Sequence, residues 1–373
     1  MNIDEAHAAV IANSILEGKM PYKDAIDHRG PATYYLFALI FFLFGKNNML
    51  AVHYCLIVLV ALETFLIFML GKKCFNTAAG LFAALFFAVF SWVNNPDDMW
   101  VFHTEWGVIV FSTLASICLI KAIKNNPFYF LISGIIFGMS FLSKQAGALD
   151  FGSALTFLVI VHLIRGRDTK KIILKLSLIS IGFMLPYCLF VVYVSLKKAL
   201  PDFLFYFWEY NTKYYLPAIT LLEKFRRVPL FLFTFFEKRW LYLVFISLGI
   251  SMTLNRLKLI KDNNAEAQYL LYFSLWSLAA IVSCCVTGRM FLHYGIQIFP
   301  PACILAGLSF EKISKKIWQS ADEKDSVLKG SCQFFIGSLL FLGILLPSFR
   351  ISLDYHKYMF TKKQIHPVSE YIF

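Results

Sequence analysis

The sequence predicts an all-α, polytopic membrane helix bundle of about 10 transmembrane helices with shorter juxtamembrane helices. Three observations predict it. Hydrophobic residues make up 59% of the 373-residue chain, 40 of them phenylalanine, well above the roughly 45–50% of a soluble globular domain. Charged residues make up only 16%, against about 25% in soluble proteins. The apolar residues also gather into strips close to the roughly 20 residues that cross a bilayer as a helix.

Taken in order, residues 1–30 are polar and mixed, with Asp4 and Glu5 adjacent near the start. Met1 to Pro21 lacks the basic start and apolar run of a secretory signal. Residues 32–45 form an apolar run that follows Gly30-Pro31 and is short for a crossing, so a re-entrant or interfacial helix is expected. Crossings are expected at 49–71, 76–93, 105–122, 127–143, 147–164, 171–196, 239–254, 269–287, 294–310 and 332–347. These strips are apolar on every face, as suits lipid-facing or bundle helices rather than amphipathic surface ones. Residues 197–238 form a long loop rich in aromatic and basic residues, the composition of interfacial helices. Residues 348–373 form a tail.

The short loops divide by charge. One set carries Lys72/Lys73, Lys121/Lys124, Arg165/Arg167/Lys170/Lys171, Arg256/Lys258/Lys261 and Lys312/Lys315/Lys316. The alternate loops 94–104, 143–147 and 288–293 carry only Lys144 and Arg289 as Lys or Arg. Basic residues accumulate in short cytoplasmic loops, so the first set is assigned inside and the second outside. The net charge of +12 is accounted for this way and implies no nucleic-acid partner. The charge count alone leaves residues 1–30 on either face, depending on whether 32–45 crosses. The eight cysteines form no CxxC pair and read as small buried hydrophobes. There is no repeat of fixed period.

The outward loops hold the residues that an apolar bundle does not need. NNPDDMWVFHTEW supplies Asp97, Asp98, His103 and Glu105; SKQAG supplies Lys144 and Gln145; TGRMFLHY supplies Arg289, His293 and Tyr294. Ionisable groups near membrane depth are costly and are functional candidates by default. Each also has a plainer reading: Asp97 and Asp98 as a solvated turn, Glu105 as a carboxylate at a helix N-terminus, Lys144 and Gln145 as interfacial residues. Arg289 and His293 are four apart, a spacing that puts both on one face if the segment is helical. Arg226 and Arg227 in the long loop suit a phosphate. His7, His103 and His293, beside acids, are candidate ligands for a divalent metal such as zinc or manganese, though no ligand spacing is diagnostic.

Asp4-Glu5 followed by ILEGKMPYKDAIDHRGPATYYLFALIFFLFG resembles the first outer loop of the GT-C membrane glycosyltransferases. The likeness is to their protein-mannosyltransferase-like and aminoarabinose-transferase-like branch. HTEW resembles that family's second acidic site, FLSKQAG its mid-chain Lys-Gln, and GRMFLHYGIQIFPP its late Arg, His-Tyr and Gln segment. The four stretches occur in order from residue 4 to about residue 310. Family members carry a transmembrane helix before Asp-Glu and a C-terminal soluble domain, and this chain is expected to lack both. Gly30 stands where the family usually has a proline.

The resemblance implies a GT-C-like fold with the first outer loop at 1–48, a catalytic transmembrane module at 49–196, the outer loop at 197–238, and C-terminal helices at 239–347. It implies an inverting transfer of a sugar from a polyprenyl-phosphate carrier to a hydroxyl of a lipid, glycan or protein, at the outer face of the cell (inner) membrane. Asp4 would be the general base, and Glu5 and Glu105 would orient substrates. Lys144, Gln145, Arg289, His293 and Tyr294, with Arg226, Arg227, Asp97 and Asp98, would bind substrate. The donor would be the polyprenyl-phosphate-linked sugar; the resemblance fixes no further cofactor, and a divalent metal is compatible. Alternative readings are a lipid or solute transporter, although no inverted repeat is visible, and an inactive truncated paralogue.

Overall fold

A computed structural model describes residues 3–91, 101–124, 126–166 and 168–322. Among these, every regular element is helical. Helix α1 (Ile3–Leu16) and α2 (Pro31–Phe44) form a hairpin-like pair joined by a loop, followed by α3 (Met49–Cys74), α4 (Thr77–Phe90), α5 (Thr104–Lys124), α6 (Phe128–Ser143), α7 (Gly147–Arg165) and α8 (Thr169–Leu196). A helical turn (Leu200–Leu204) runs into a π-helix (Phe205–Tyr215). Then come α9 (Leu221–Phe236), α10 (Trp240–Arg256), α11 (Ala265–Val286), a 3₁₀ segment (Leu292–Ile298) and α12 (Phe299–Asp322).

Among the described residues, seven helical stretches are long and apolar enough to cross a membrane. The protein is a multi-pass membrane protein. Two expected crossings, Thr77–Phe90 and Phe128–Ser143, are helices of fewer than 18 residues. The segment expected to be interfacial at 32–45 is the 14-residue helix α2, and Pro31 opens it where a missing N–H costs nothing. The expected crossing at 294–310 begins as a 3₁₀ segment and continues as α12 to Asp322. The expected crossing at 332–347 and the tail 348–373 lie outside the described residues.

Helix starts follow the side chains that can cap them. Asn48, Asn76, Asp168, Thr220 and Asn264 each accept a hydrogen bond from a backbone N–H in the first turn of α3, α4, α8, α9 and α11, satisfying donors that a helix leaves orphaned. The tightest crossing is α6 on α8. Gly134 and Gly138 of α6 form a small-xxx-small ridge that lets backbones approach closely. A Cβ at Gly134 would lie 2.1 Å from the Ile179 carbonyl oxygen, and one at Gly182 of α8 would lie 2.2 Å from that of Leu131.

Buried polar groups tie α5 to its neighbours. Ser112 donates to Asp150 of α7 at 2.6 Å and pairs with Ser140 of α6 at 2.9 Å, while Thr113 donates to Glu63 of α3 at 2.6 Å. At one end of the bundle, Lys124 donates to the Lys73 carbonyl and Glu266 binds Arg256 and Lys312, each at 2.6 Å. The other end carries the start of α5, the end of α6 and the loop 17–30, which meet in one cavity.

Candidate functional site

Asp4 and Glu5 occupy the first turn of α1. Successive helix residues point about 100° apart, so the two acids face different partners. Glu5 is buried, accepts the Phe102 backbone N–H at 2.8 Å, and lies 3.7 Å from His53. Asp4 faces the cavity, accepting Arg29 at 2.5 Å and lying 3.4 Å from His103 Nδ1. The His103 hydrogen bond, with the Arg29 charge added, outweighs burial and holds the Asp4 carboxyl far below its ordinary range.

Arg29 is placed by its loop. Tyr22, at φ 70°, turns the chain, and its hydroxyl donates to the Arg29 carbonyl at 2.8 Å. Gly30 packs on the end of α6, where a Cβ would sit 2.2 Å from the Leu142 oxygen. Asp27 accepts the His28 backbone N–H at 2.6 Å and lies 3.5 Å from Arg29. Burial raises the Asp27 pKa, but the His28 hydrogen bond and the Arg29 charge lower it further, to about 2.

Across the cavity, Glu105 stands in the first turn of α5 and Lys144 caps the end of α6. The two form an ion pair, and the Lys144 ammonium lies 3.8 Å from the Tyr294 ring centroid. His293 Nε2 is 4.0 Å from Glu105, and its ring stacks on His103 at 3.9 Å and 9°. Arg289 lies over Tyr215 at 4.4 Å, and the Tyr215 and Tyr294 hydroxyls are 3.2 Å apart. Gln145 donates to the Phe207 carbonyl at 3.1 Å and Asn211 donates to that of His28 at 2.9 Å, stitching the π-helix to the loop 17–30. The cavity these groups enclose measures about 540 Å³, within the range of small-molecule sites.

Asp4, His103 and His293 each bring one ligand atom within 4.8 Å of the others. A carboxylate and two imidazoles are a donor set that suits zinc or manganese, so the residues fit a divalent cation.

Residues 28–190 match the family model described as dolichyl-phosphate-mannose-protein mannosyltransferase. No curated protein matches the chain in sequence. Among solved structures, the oligosaccharyltransferase AglB of Archaeoglobus fulgidus, in complex with an inhibitory peptide and a dolichol-phosphate, aligns at a TM-score of 0.62 and 12% identity over 94% of this chain and 52% of that one. ArnT of Cupriavidus metallidurans, bound to undecaprenyl phosphate, aligns at 0.58 and 14% identity over 85% and 57%. AglB in complex with zinc and sulfate aligns at 0.59 and 14% identity over 94% and 49%. The fold is that of the GT-C membrane glycosyltransferases. The chain spans about half the length of these GT-C structures.

Within the GT-C fold, the sequence-expected residues divide into three groups. Asp4, Glu105, Lys144, Gln145, Arg289, His293, Tyr294 and His103 all line the cavity. Glu5 is turned away behind it, His7 is exposed outside the Asp4, His103 and His293 group, and neither Arg226 nor Arg227 is part of the lining. Arg227 is held instead by Glu223 at 2.9 Å, one helical turn away on α9. Asp97 and Asp98 lie outside the described residues. The sequence reading did not assign a role to Arg29, although DHRG places it beside Asp27, nor to Asn211 and Tyr215, which it left within an interfacial loop. Arg239 also went unmarked: it is buried and donates to the Phe90 and Phe235 carbonyls at 3.0 and 2.5 Å, closing the ends of α4 and α9.

Proposed function

We propose that the protein transfers a sugar from a polyprenyl-phosphate carrier to an acceptor hydroxyl, with inversion, at the outer face of the cell membrane. One observation carries the reading. A single cavity at the end of the bundle away from the basic loops sets Asp4 and Glu105 among Arg29, Lys144 and Arg289. Carboxylates able to orient a hydroxyl and cations able to hold a phosphate share one chamber, with aromatic walls around them.

The acceptor oxygen attacks the anomeric carbon as the bond from that carbon to the phosphate oxygen breaks, and the electron pair leaves on the phosphate. Asp4 orients the hydroxyl and takes its proton. A carboxylate held this acidic is a weak base, so the proton moves late, once the new bond has made the oxygen acidic. Lys144 and Arg289 neutralise charge as it builds on the leaving phosphate. Glu105 fixes Lys144. Asp4, His103 and His293 are the residues that would hold a divalent cation, which would add positive charge against the phosphate.

The test is transfer from a polyprenyl-phosphate hexose in sealed right-side-out vesicles, with a water-soluble glycan or peptide acceptor outside. Product is expected in these vesicles, and Asp4→Asn is expected to lower the rate at least about 100-fold. Undiminished transfer by Asp4→Asn removes the base, and product formed only after the vesicles are opened reverses the orientation. Transfer that survives chelation unchanged removes the cation.

A further inference from the structure

The segment Phe205–Tyr215 is a π-helix, a rare element that gathers at functional sites. Its segment contributes Phe207, Trp208, Asn211, Thr212, Tyr215 and Leu216 to the cavity wall, pairs of residues that recur every four positions along one face. Its two charged residues are elsewhere: Glu209 and Lys213 pair with each other at 2.7 Å, both exposed. The cavity therefore has two unlike sides. The side built from α1, α5 and α6 is ionic, and the π-helix adds no charged side chain of its own to the wall, with Arg289 reaching over it only at Tyr215.

We infer that this aromatic wall holds a pyranose ring, with Trp208 as the surface on which the ring stacks. The wall has the chemistry such a ring asks for. A hexose presents apolar C–H faces and a rim of hydroxyls, and an aromatic face with nearby amide and hydroxyl groups matches both. Trp208 remains 40% exposed although it lines the cavity. Its indole N–H donates to the Tyr187 hydroxyl at 2.7 Å, and its ring packs on Phe207 and Phe141 at 5.2 and 5.8 Å. These contacts fix the ring plane.

They also separate it from a membrane-interface tryptophan, which sits at the headgroup level with its polar edge toward water. Here the polar edge is held by the Tyr187 hydroxyl. Asn211 has its amide nitrogen fixed on the His28 and Phe207 carbonyls. The Thr212 hydroxyl donates back to the Trp208 carbonyl at 2.8 Å, which leaves its oxygen to accept from a sugar hydroxyl. The inference rests on the proposed sugar transfer and names Trp208 as a residue that selects the substrate.

Binding in nanodiscs tests it, with polyprenyl-phosphate hexose and bare polyprenyl phosphate as the two probes. Trp208→Ala is expected to weaken the hexose lipid about tenfold and to leave the bare lipid unchanged, which also reports that the variant is folded. Tyr187→Phe, which only unfixes the indole, should give a smaller loss of the same selectivity. If donor binding is untouched but the KM for a glycan acceptor rises about tenfold, the wall holds the acceptor's ring. Equal weakening of both lipids, or no change in donor binding and in acceptor KM, overturns the inference. If wild-type protein transfers no sugar yet Trp208 still discriminates the two lipids, the reaction fails and the stacking surface stands.

Discussion

Glu5 holds a backbone N–H from a segment 97 residues away, that of Phe102, beside His103 of the cavity. Replacing Glu5 with alanine leaves that buried donor unsatisfied, which costs roughly 1–3 kcal/mol. Glutamine keeps an acceptor in place. The expected outcome is a lower unfolding midpoint in detergent for Glu5→Ala and a near wild-type midpoint for Glu5→Gln. If Glu5→Ala unfolds as wild type but transfers no sugar, the residue belongs to the chemistry and not to the scaffold. The sequence showed two adjacent acids and could not say which one faces the cavity, because that depends on how α1 is rotated against α2 and α5. Arg29 was hidden for a related reason. Its place follows from the turn at Tyr22 and the close approach at Gly30, neither of which leaves a periodic signal.

At the scale of elements, the α6–α8 crossing sets where Lys144 ends up, because Lys144 is the residue that closes α6. Gly134→Leu would drive a side chain into the α8 backbone at Ile179. Overpacking of this kind typically costs 1–3 kcal/mol and more where backbone must move. The variant is expected to lose its monodisperse peak in size-exclusion chromatography, while Gly152→Ala, where a Cβ would meet nothing within 4 Å, keeps it. A monodisperse Gly134→Leu protein would show the crossing to be less tight than its geometry. The long helices were legible because an all-round apolar strip of the right length has few other fates. The π-helix was not. Clustered aromatics mark a membrane-level surface but do not encode which carbonyl each N–H will reach, and so Asn211 and Trp208 passed as part of an interfacial loop.

For the whole molecule, the order of the polar stretches along the chain proved informative because the bundle brings one end of each helix together. Residues 4, 105, 144 and 293 are far apart in sequence and share one chamber. What the sequence withheld is that both carboxylates of the chamber are already paired. Arg29 binds Asp4 and Lys144 binds Glu105, and three cations stand against two carboxylates around the lining. Among the described residues an arriving phosphate therefore meets one cation, Arg289, that lies over Tyr215 and pairs with no carboxylate, and two cations that are already paired. To reach Arg29 or Lys144 it must share a cation that a carboxylate already holds, so binding at those two is an exchange of partners rather than a neutralisation. Exchange makes the long-range pull weak, and salt screens long-range attraction above all. Affinity for bare polyprenyl phosphate should accordingly change less than about threefold between 50 and 300 mM salt, and a steep fall across that range would mean that the ion pairs open before the lipid arrives. The same exchange works in reverse. In the proposed reaction, once the sugar has gone and the carrier phosphate must leave, Glu105 and Asp4 are at hand to reclaim their cations, and the chamber closes its own circuit behind the departing lipid.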